Sequence, residues 1–219
     1  RHAHSEANAA GVLSGRLPNV HLSEKGLAQS EELAVRLGNF PVATLRISPM
    51  ERCFETISPW INSVVFPNDS KFEPIIDPEL TEVDYGSWSG KKLAILSKNK
   101  LWKTVQESPS RMYFPNGEGI AQMQSRAMKS VHEAVDSKSK GAAVIVSHGD
   151  VIKSIVASAL GMHLDEFQRI VIDPASVSIL DYSSTKPRVL LLNDTRAIVT
   201  DLLVAPKRSK NLLGGGSGK

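Results

Sequence analysis

Apolar positions along the chain follow two alternating periods. From Ser23 to Leu37, the residues Leu27, Leu33, Ala34 and Leu37 recur at helical spacing. Ser23 serves as N-cap and Gly38 as stop, so the stretch predicts a helix. Pro41 to Ile47 reads as a short strand ending at Ser48-Pro49, and Pro49 suits the opening of a second helix carrying Arg52, Glu55 and Thr56. Phe72 to Ile76 predicts a further strand and residues 91 to 107 a basic helix. Ile120 to Val135 predicts a helix with Met123, Ala127, Val131 and Ala134 on one face. The apolar run Ala142-Ala143-Val144-Ile145-Val146 predicts a strand covered on both faces, as in a parallel sheet. A helix over Val151 to Leu160 follows, stopped by Gly161, with Asp150 as its cap. Strands are then expected near Ile170, over Val177 to Leu180 and over Val189 to Leu192.

Strands alternating with helices predict one α/β layered domain over residues 1–204, followed by a basic, Gly-rich, flexible tail over 205–219. Composition agrees, with 41% hydrophobic and 22% charged residues in a chain of 219. No apolar run approaches the roughly 18 residues of a membrane span, so no membrane role is expected. Cys53 is the one cysteine and has no intrachain partner, which suits a reducing, cytoplasmic setting. The net charge of +3 owes part of its excess to Lys207, Arg208, Lys210 and Lys219 in the tail. Without aromatic interleaving or a recognition motif, that excess predicts no nucleic-acid partner. Gly214 to Lys219 imitates a phosphate-binding loop, but Leu213 stands where its first glycine is required.

The candidate chemistry begins at Arg1-His2-Ala3-His4-Ser5-Glu6-Ala7-Asn8. A guanidinium fork matches phosphate oxygens, and a neutral imidazole is a competent nucleophile near pH 7. A second arginine (Arg52), a carboxylate (Glu82) and a second histidine (His148) stand downstream at element boundaries. In open α/β sheets ligands bind beyond the carboxyl ends of strands. Ser48 to Arg52 and Ser147-His148 occupy such ends. Arg1-His2 does the same if an apolar strand of about five residues precedes it, which is the expectation. Two rival readings exist. His2, His4, His148 and Asp150 carry metal-ligand chemistry, although Arg1 and Arg52 would then set positive charge beside a cation. The pocket could also bind a phosphorylated ligand or a partner without catalysis. His21, His132 and His163 show no partner pattern, Trp88 reads as a packing residue, and Cys53 as a small buried one.

Four motifs in order carry a specific resemblance: Arg1-His2-Ala3; Ser48 to Thr56; Glu82 ahead of Gly86-x-Trp88-x-Gly90; and Val146-Ser147-His148-Gly149. Together they resemble the histidine phosphatase superfamily, which includes the cofactor-dependent phosphoglycerate mutases, over about residues 1 to 195. The resemblance implies a phosphoglycerate mutase-like three-layer α/β/α sandwich with a mostly parallel central sheet. It implies that His2 accepts the phosphoryl group, that Arg1, Arg52 and His148 hold its oxygens with Asn8 and Ser5 assisting, and that Glu82 protonates the leaving alcohol. No metal or other cofactor is implied. A homodimer and a small phosphorylated metabolite are the expected partners.

Phe114-Pro115-Asn116-Gly117-Glu118-Gly119 resembles the Pro-Gly-Gly-Glu-Ser signature of the smaller phosphatase branch, which includes α-ribazole phosphatases and broad-specificity acid phosphatases; Asn116 and Gly119 depart from it. The stretch Lys98 to Gly119 is short and holds Lys98, Lys100, Lys103 and a lone Arg111, assigned to substrate binding. The mutases carry an inserted segment with extra arginines there. Hydrolysis is therefore expected over phosphoryl transfer. Ala3 stands where the family has glycine.

Overall fold

The computed structural model describes residues 1–64, 73–136 and 141–203. The tail expected over 205–219 and the start of the strand expected from Phe72 lie outside the described residues. In chain order the elements are α1 (Glu6–Ala9), α2 (Glu24–Leu37), β1 (Val42–Ile47), α3 (Glu51–Ser63), β2 (Ile75–Ile76), α4 (Leu93–Leu96), α5 (Trp102–Glu107), α6 (Ile120–Val135), β3 (Ala142–Val146), α7 (Gly149–Ala159), β4 (Val177–Asp181), β5 (Arg188–Asp194) and α8 (Val199–Leu203).

β1 lies between β2 and β3 and is parallel to both. Its register with β3 ends on Ile47 opposite Val146, so the chain leaves both strands at one edge and delivers Ser48 and Ser147-His148 side by side. β4 and β5 form a separate antiparallel pair. Alternate side chains sort into two cores, as period-2 geometry requires. Leu45, Ile47 and Val146 pack with Leu33, Leu37, Ile57 and Trp60 of α2 and α3 on one face. Ile145 and Leu180 pack toward Met123, Ala127, Val131, Ile155 and Val156 of α6 and α7 on the other. Helices therefore cover both faces, and the layered α/β architecture read from the chain holds.

Four local expectations change. No strand forms near Ile170: a 3-10 helix over Leu164–Arg169 occupies the segment, and Ile170 and Ile172 bury their side chains from irregular backbone. Residues 91–107 break into α4 and α5. Leu27 is 53% exposed although it shares the helical spacing of its buried neighbours, because α2 turns only Gly26, Ser30, Leu33, Ala34 and Leu37 of that stripe inward. β3 is only half-buried over Val144 and Ile145. It faces β4 across an apolar cavity of about 790 Å³ lined by Val144, Ile145, Val146, Val177, Ile179 and Leu180.

Arg1 also lines that cavity, and the residue after it is tied to both strand regions. The His2 amide donates to the Ser147 carbonyl at 2.9 Å, and the Ala175 amide donates to the His2 carbonyl at 3.2 Å. Among the described residues, no helix is long and apolar enough to cross a membrane.

Candidate active site

Five side chains from four distant stretches meet where β1 and β3 end. His2 is 4% exposed, and its Nδ1 donates to the Ala3 carbonyl at 2.7 Å, which fixes the tautomer and leaves Nε2 without a hydrogen-bond partner among the described residues. Its backbone is held as firmly, because the Ala3 amide donates to Thr56 Oγ1 at 2.8 Å. Burial first, then the charges of Arg52 and Arg1, hold the His2 imidazole well below the usual histidine range, so it is neutral at pH 7.

His148 is fully buried at the N-cap of α7, with its ring centroid 5.2 Å from that of His2. Its Nε2 lies 2.7 Å from Ser48 Oγ, and its Nδ1 faces Arg52 Nη2 at 3.2 Å and Glu82 Oε2 at 3.9 Å. Burial and then Arg52 keep this ring neutral as well. The expected cap differs, because Asp150 sits inside the first turn of α7 and accepts from Tyr85 Oη at 2.9 Å.

Arg52, in the first turn of α3, is 1% exposed, and its Nη2 donates to the Gly15 carbonyl at 2.8 Å. Arg1 donates through Nη1 to the Ile172 carbonyl at 2.6 Å and crosses the backbone of Gly149, where an added Cβ would lie 3.4 Å from Arg1 Nε. Arg1 Nε, Arg52 Nε and Arg52 Nη1 are buried without a partner among the described residues. A buried donor left unmade costs about 1–3 kcal/mol, and more when charged. Both guanidinium groups lie close enough to the two neutral imidazoles for their charge to act on them, and an anion would satisfy the open donors.

Glu82 enters from the irregular segment after β2. Asp77 caps the turn Pro78–Leu80, Ser147 Oγ donates to the Leu80 carbonyl at 2.7 Å, and Leu80 and Val83 are fully buried on either side of Glu82. The Val83 amide donates to Glu82 Oε1 at 2.9 Å. Burial, reinforced by the charge of Asp150, pushes the Glu82 carboxyl up to about 7.

The remaining assigned residues behave differently. Ser5 Oγ accepts from the Asn8 amide at 3.2 Å and donates to Asn8 Oδ1 at 3.0 Å, so the pair caps α1. Arg111 is exposed, ends the turn Pro109–Arg111 and lies near Asp165; the structure does not bring it into the cluster. The adjacent Ser110 amide donates to Asp165 Oδ1 at 2.9 Å, which ties the segment to the helix over Leu164–Arg169. The metal-ligand alternative is not assembled. His4 Nδ1 pairs with Ser23 Oγ at 2.8 Å, and among the described residues no group of three or more His, Cys, Asp or Glu could hold a metal ion.

Sequence reasoning missed Ser48, Thr56 and the Gly15 carbonyl as supports. Ser48 and Thr56 lay inside a quoted motif without a role, and a backbone acceptor leaves no signal in the residue type. It also missed Glu118, Arg126 and Arg16, which bracket the Glu82 backbone.

Fold and pocket define a layered α/β protein with a cationic, histidine-centred site at a strand-end edge. The chain matches the family model described as histidine phosphatase superfamily (branch 1) over residues 1–195, and it belongs to that family. It is 27% identical to phosphoserine phosphatase 1 of Hydrogenobacter thermophilus over 197 residues, covering 89% of this chain and 90% of the relative. It is 26% identical to the 2,3-bisphosphoglycerate-dependent phosphoglycerate mutase of Thermoplasma acidophilum, covering 83% and 84%. The solved structure of the α-ribazole phosphatase from Shigella flexneri superposes with a TM-score of 0.75 at 22% identity, covering 90% of this chain and 95% of that one. The chain is a phosphatase enzyme of this family.

Proposed function

We propose that the enzyme hydrolyses small-molecule phosphomonoesters through a phosphohistidine on His2. The observation that carries the reading is the trio of unpartnered buried guanidinium donors on two arginines whose charge acts on His2, an imidazole with Nδ1 committed and Nε2 without a hydrogen-bond partner among the described residues. Phosphoryl transfer requires in-line positioning and charge stabilisation above all, and fixed donors in a buried site provide both.

In the first half-reaction the His2 Nε2 lone pair forms the N–P bond as the ester P–O bond breaks. Glu82, protonated in the free enzyme, gives its proton to the departing alkoxide. In the second, the Glu82 carboxylate takes a proton from water as that water attacks phosphorus, the N–P bond breaks, and neutral His2 and protonated Glu82 return. Arg1 and Arg52 bind the equatorial oxygens. With Arg52 Nη2 donating to His148 Nδ1, the neutral ring carries its hydrogen on Nε2 and gives it to Ser48 Oγ, so His148 orients the Arg52 fork toward the phosphoryl oxygens. Ser5 supports this arrangement through α1, while Asn8 keeps its Nδ2 donors outside the cap. The similarity to phosphoserine phosphatase 1 supports a small substrate and places phosphoserine in the test panel.

The test is quenched-flow mixing with labelled phosphomonoesters. An acid-labile, alkali-stable label should appear on wild-type protein at a rate that accounts for turnover. His2→Ala should lose the label and about 10³-fold or more of the turnover. Labelling of another residue, or turnover that survives in His2→Ala, sinks the phosphohistidine reading. Formation of 2-phosphoglycerate from 3-phosphoglycerate with a trace of 2,3-bisphosphoglycerate, in place of inorganic phosphate, would make the chain a mutase.

A further inference from the structure

We infer that Glu118, acting through Arg16 and Arg126, is a positioning residue for the proton donor Glu82. The inference rests on the reading of Glu82 as that donor. Two guanidinium groups grip the Glu82 carbonyl: Arg16 Nε donates to it at 2.9 Å and Arg126 Nη2 at 3.1 Å. They come from opposite sides of the loop, Arg16 from the segment before α2 and Arg126 from α6. One carboxylate joins them. Glu118 Oε1 accepts from Arg16 Nη2 at 2.9 Å, from Arg126 Nη2 at 2.6 Å and from the Asp84 amide at 2.9 Å, while Oε2 accepts from Arg126 Nε at 3.1 Å. Arg126 Nη1 also reaches back to the Glu79 carbonyl at 2.7 Å, so the clamp spans both sides of Glu82.

The backbone around this clamp has no slack. The Glu118 amide donates to the Asp84 carbonyl at 2.9 Å and the Ser87 amide to the Pro115 carbonyl at 2.8 Å. A Cβ added to Gly117 would lie 2.2 Å from the Asp84 carbonyl oxygen, and one added to Gly86, at φ +50°, 2.2 Å from that of Pro115. The two loops therefore touch main chain to main chain, and glycine is required on both sides of the contact. Glu82 gains no fixed geometry from regular secondary structure, because it lies in none. Its carbonyl is fixed by charge-assisted bonds, and its carboxyl then falls 3.9 Å from His148 Nδ1. A proton donor must meet the leaving oxygen within hydrogen-bond reach, and a misplacement of about 1 Å costs about 10²-fold. Among the described residues Glu118 bonds to Arg16, Arg126 and the Asp84 backbone and to none of the five site side chains, so its effect reaches the site through the position of Glu82.

That separates positioning from general support. An alkyl phosphate needs the proton from Glu82, whereas p-nitrophenyl phosphate has a leaving group that does not. The experiment measures kcat/KM for both esters with wild type, Glu118→Gln, Arg16→Gln and Glu82→Gln. Arg16 is more than a third exposed, so Arg16→Gln reports even if Glu118→Gln does not fold. Expected are losses on the alkyl ester of roughly 10- to 100-fold for Glu118→Gln and a smaller loss for Arg16→Gln. On p-nitrophenyl phosphate each variant should lose less than about a third as much, with Glu82→Gln showing the same selectivity more strongly. If Glu82→Gln is selective and both clamp variants slow the two esters equally, or slow neither, the positioning role is wrong and the donor reading stands. If Glu82→Gln slows both esters equally, the donor reading fails and takes this inference with it.

Discussion

The two imidazoles and the carboxyl of Glu82 are moved in opposite directions by the same cause. Burial disfavours charge, so it lowers the affinity of His2 and His148 for a proton and raises that of Glu82 to about 7. At neutral pH the pocket therefore holds a neutral nucleophile and a carboxyl that is still substantially protonated. With donation from Glu82 required, kcat/KM for alkyl phosphates should fall as pH rises through about 7, because the free enzyme loses the proton it must give. Glu82→Gln, run on the same substrate so that substrate ionisation cancels, should lose that basic limb. An unchanged basic limb in the variant would assign it to another group. The acidic side should stay flat below the ordinary histidine range, since neither ring takes a proton there. Arg1, His2, Arg52, Glu82 and His148 could be picked out along the chain because each stands inside one of the ordered motifs, and the fold brings the five together. Arg111 lay outside those motifs, and in the fold it is exposed at the end of the turn Pro109–Arg111.

Between residue and molecule, α2 shows how an element can be set against its own propensity. Gly26 sits in its first turn, where alanine would favour the helix by about 1 kcal/mol. A Cβ there would lie 1.9 Å from the His4 carbonyl oxygen, which accepts from the Ser23 amide at 3.0 Å. Gly26→Ala should therefore destabilise the protein by about 1–3 kcal/mol, lowering the thermal midpoint by several degrees, and should reduce turnover by shifting the strand-like segment that carries His2. A midpoint equal to or above wild type would show that α2 can slide away. The bounds of α2, α6 and β3 were legible because each carries an uninterrupted apolar period or run, while the exposure of Leu27 and of β3 was not. The segment around Ile170 was not, since buried apolar side chains on irregular chain have the composition of a strand without its pairing. The antiparallel pairing of β4 with β5 was equally hidden, because apolar runs do not state their direction.

For the molecule as a whole, the order of motifs along the chain was visible while their convergence was not. The contacts that assemble the site join the most distant parts of the described chain. Arg1 donates to the Ile172 carbonyl, His2 to Ser147, and Ala175 to His2. Such long-range closures come late, because loop entropy must be overcome before they give anything back. The consequence concerns birth rather than catalysis. Within this chain His2 comes before Ser147, Ile172 and Ala175, so a nascent chain that has not yet reached residue 175 holds the nucleophile without the groups that anchor it. Chains ended at residue 160 should show no phosphohistidine labelling, and chains ended at 195 should show it. Labelling of the shorter chain would mean that the first residues find their place unaided. Activity would then mark a chain folded through residue 175.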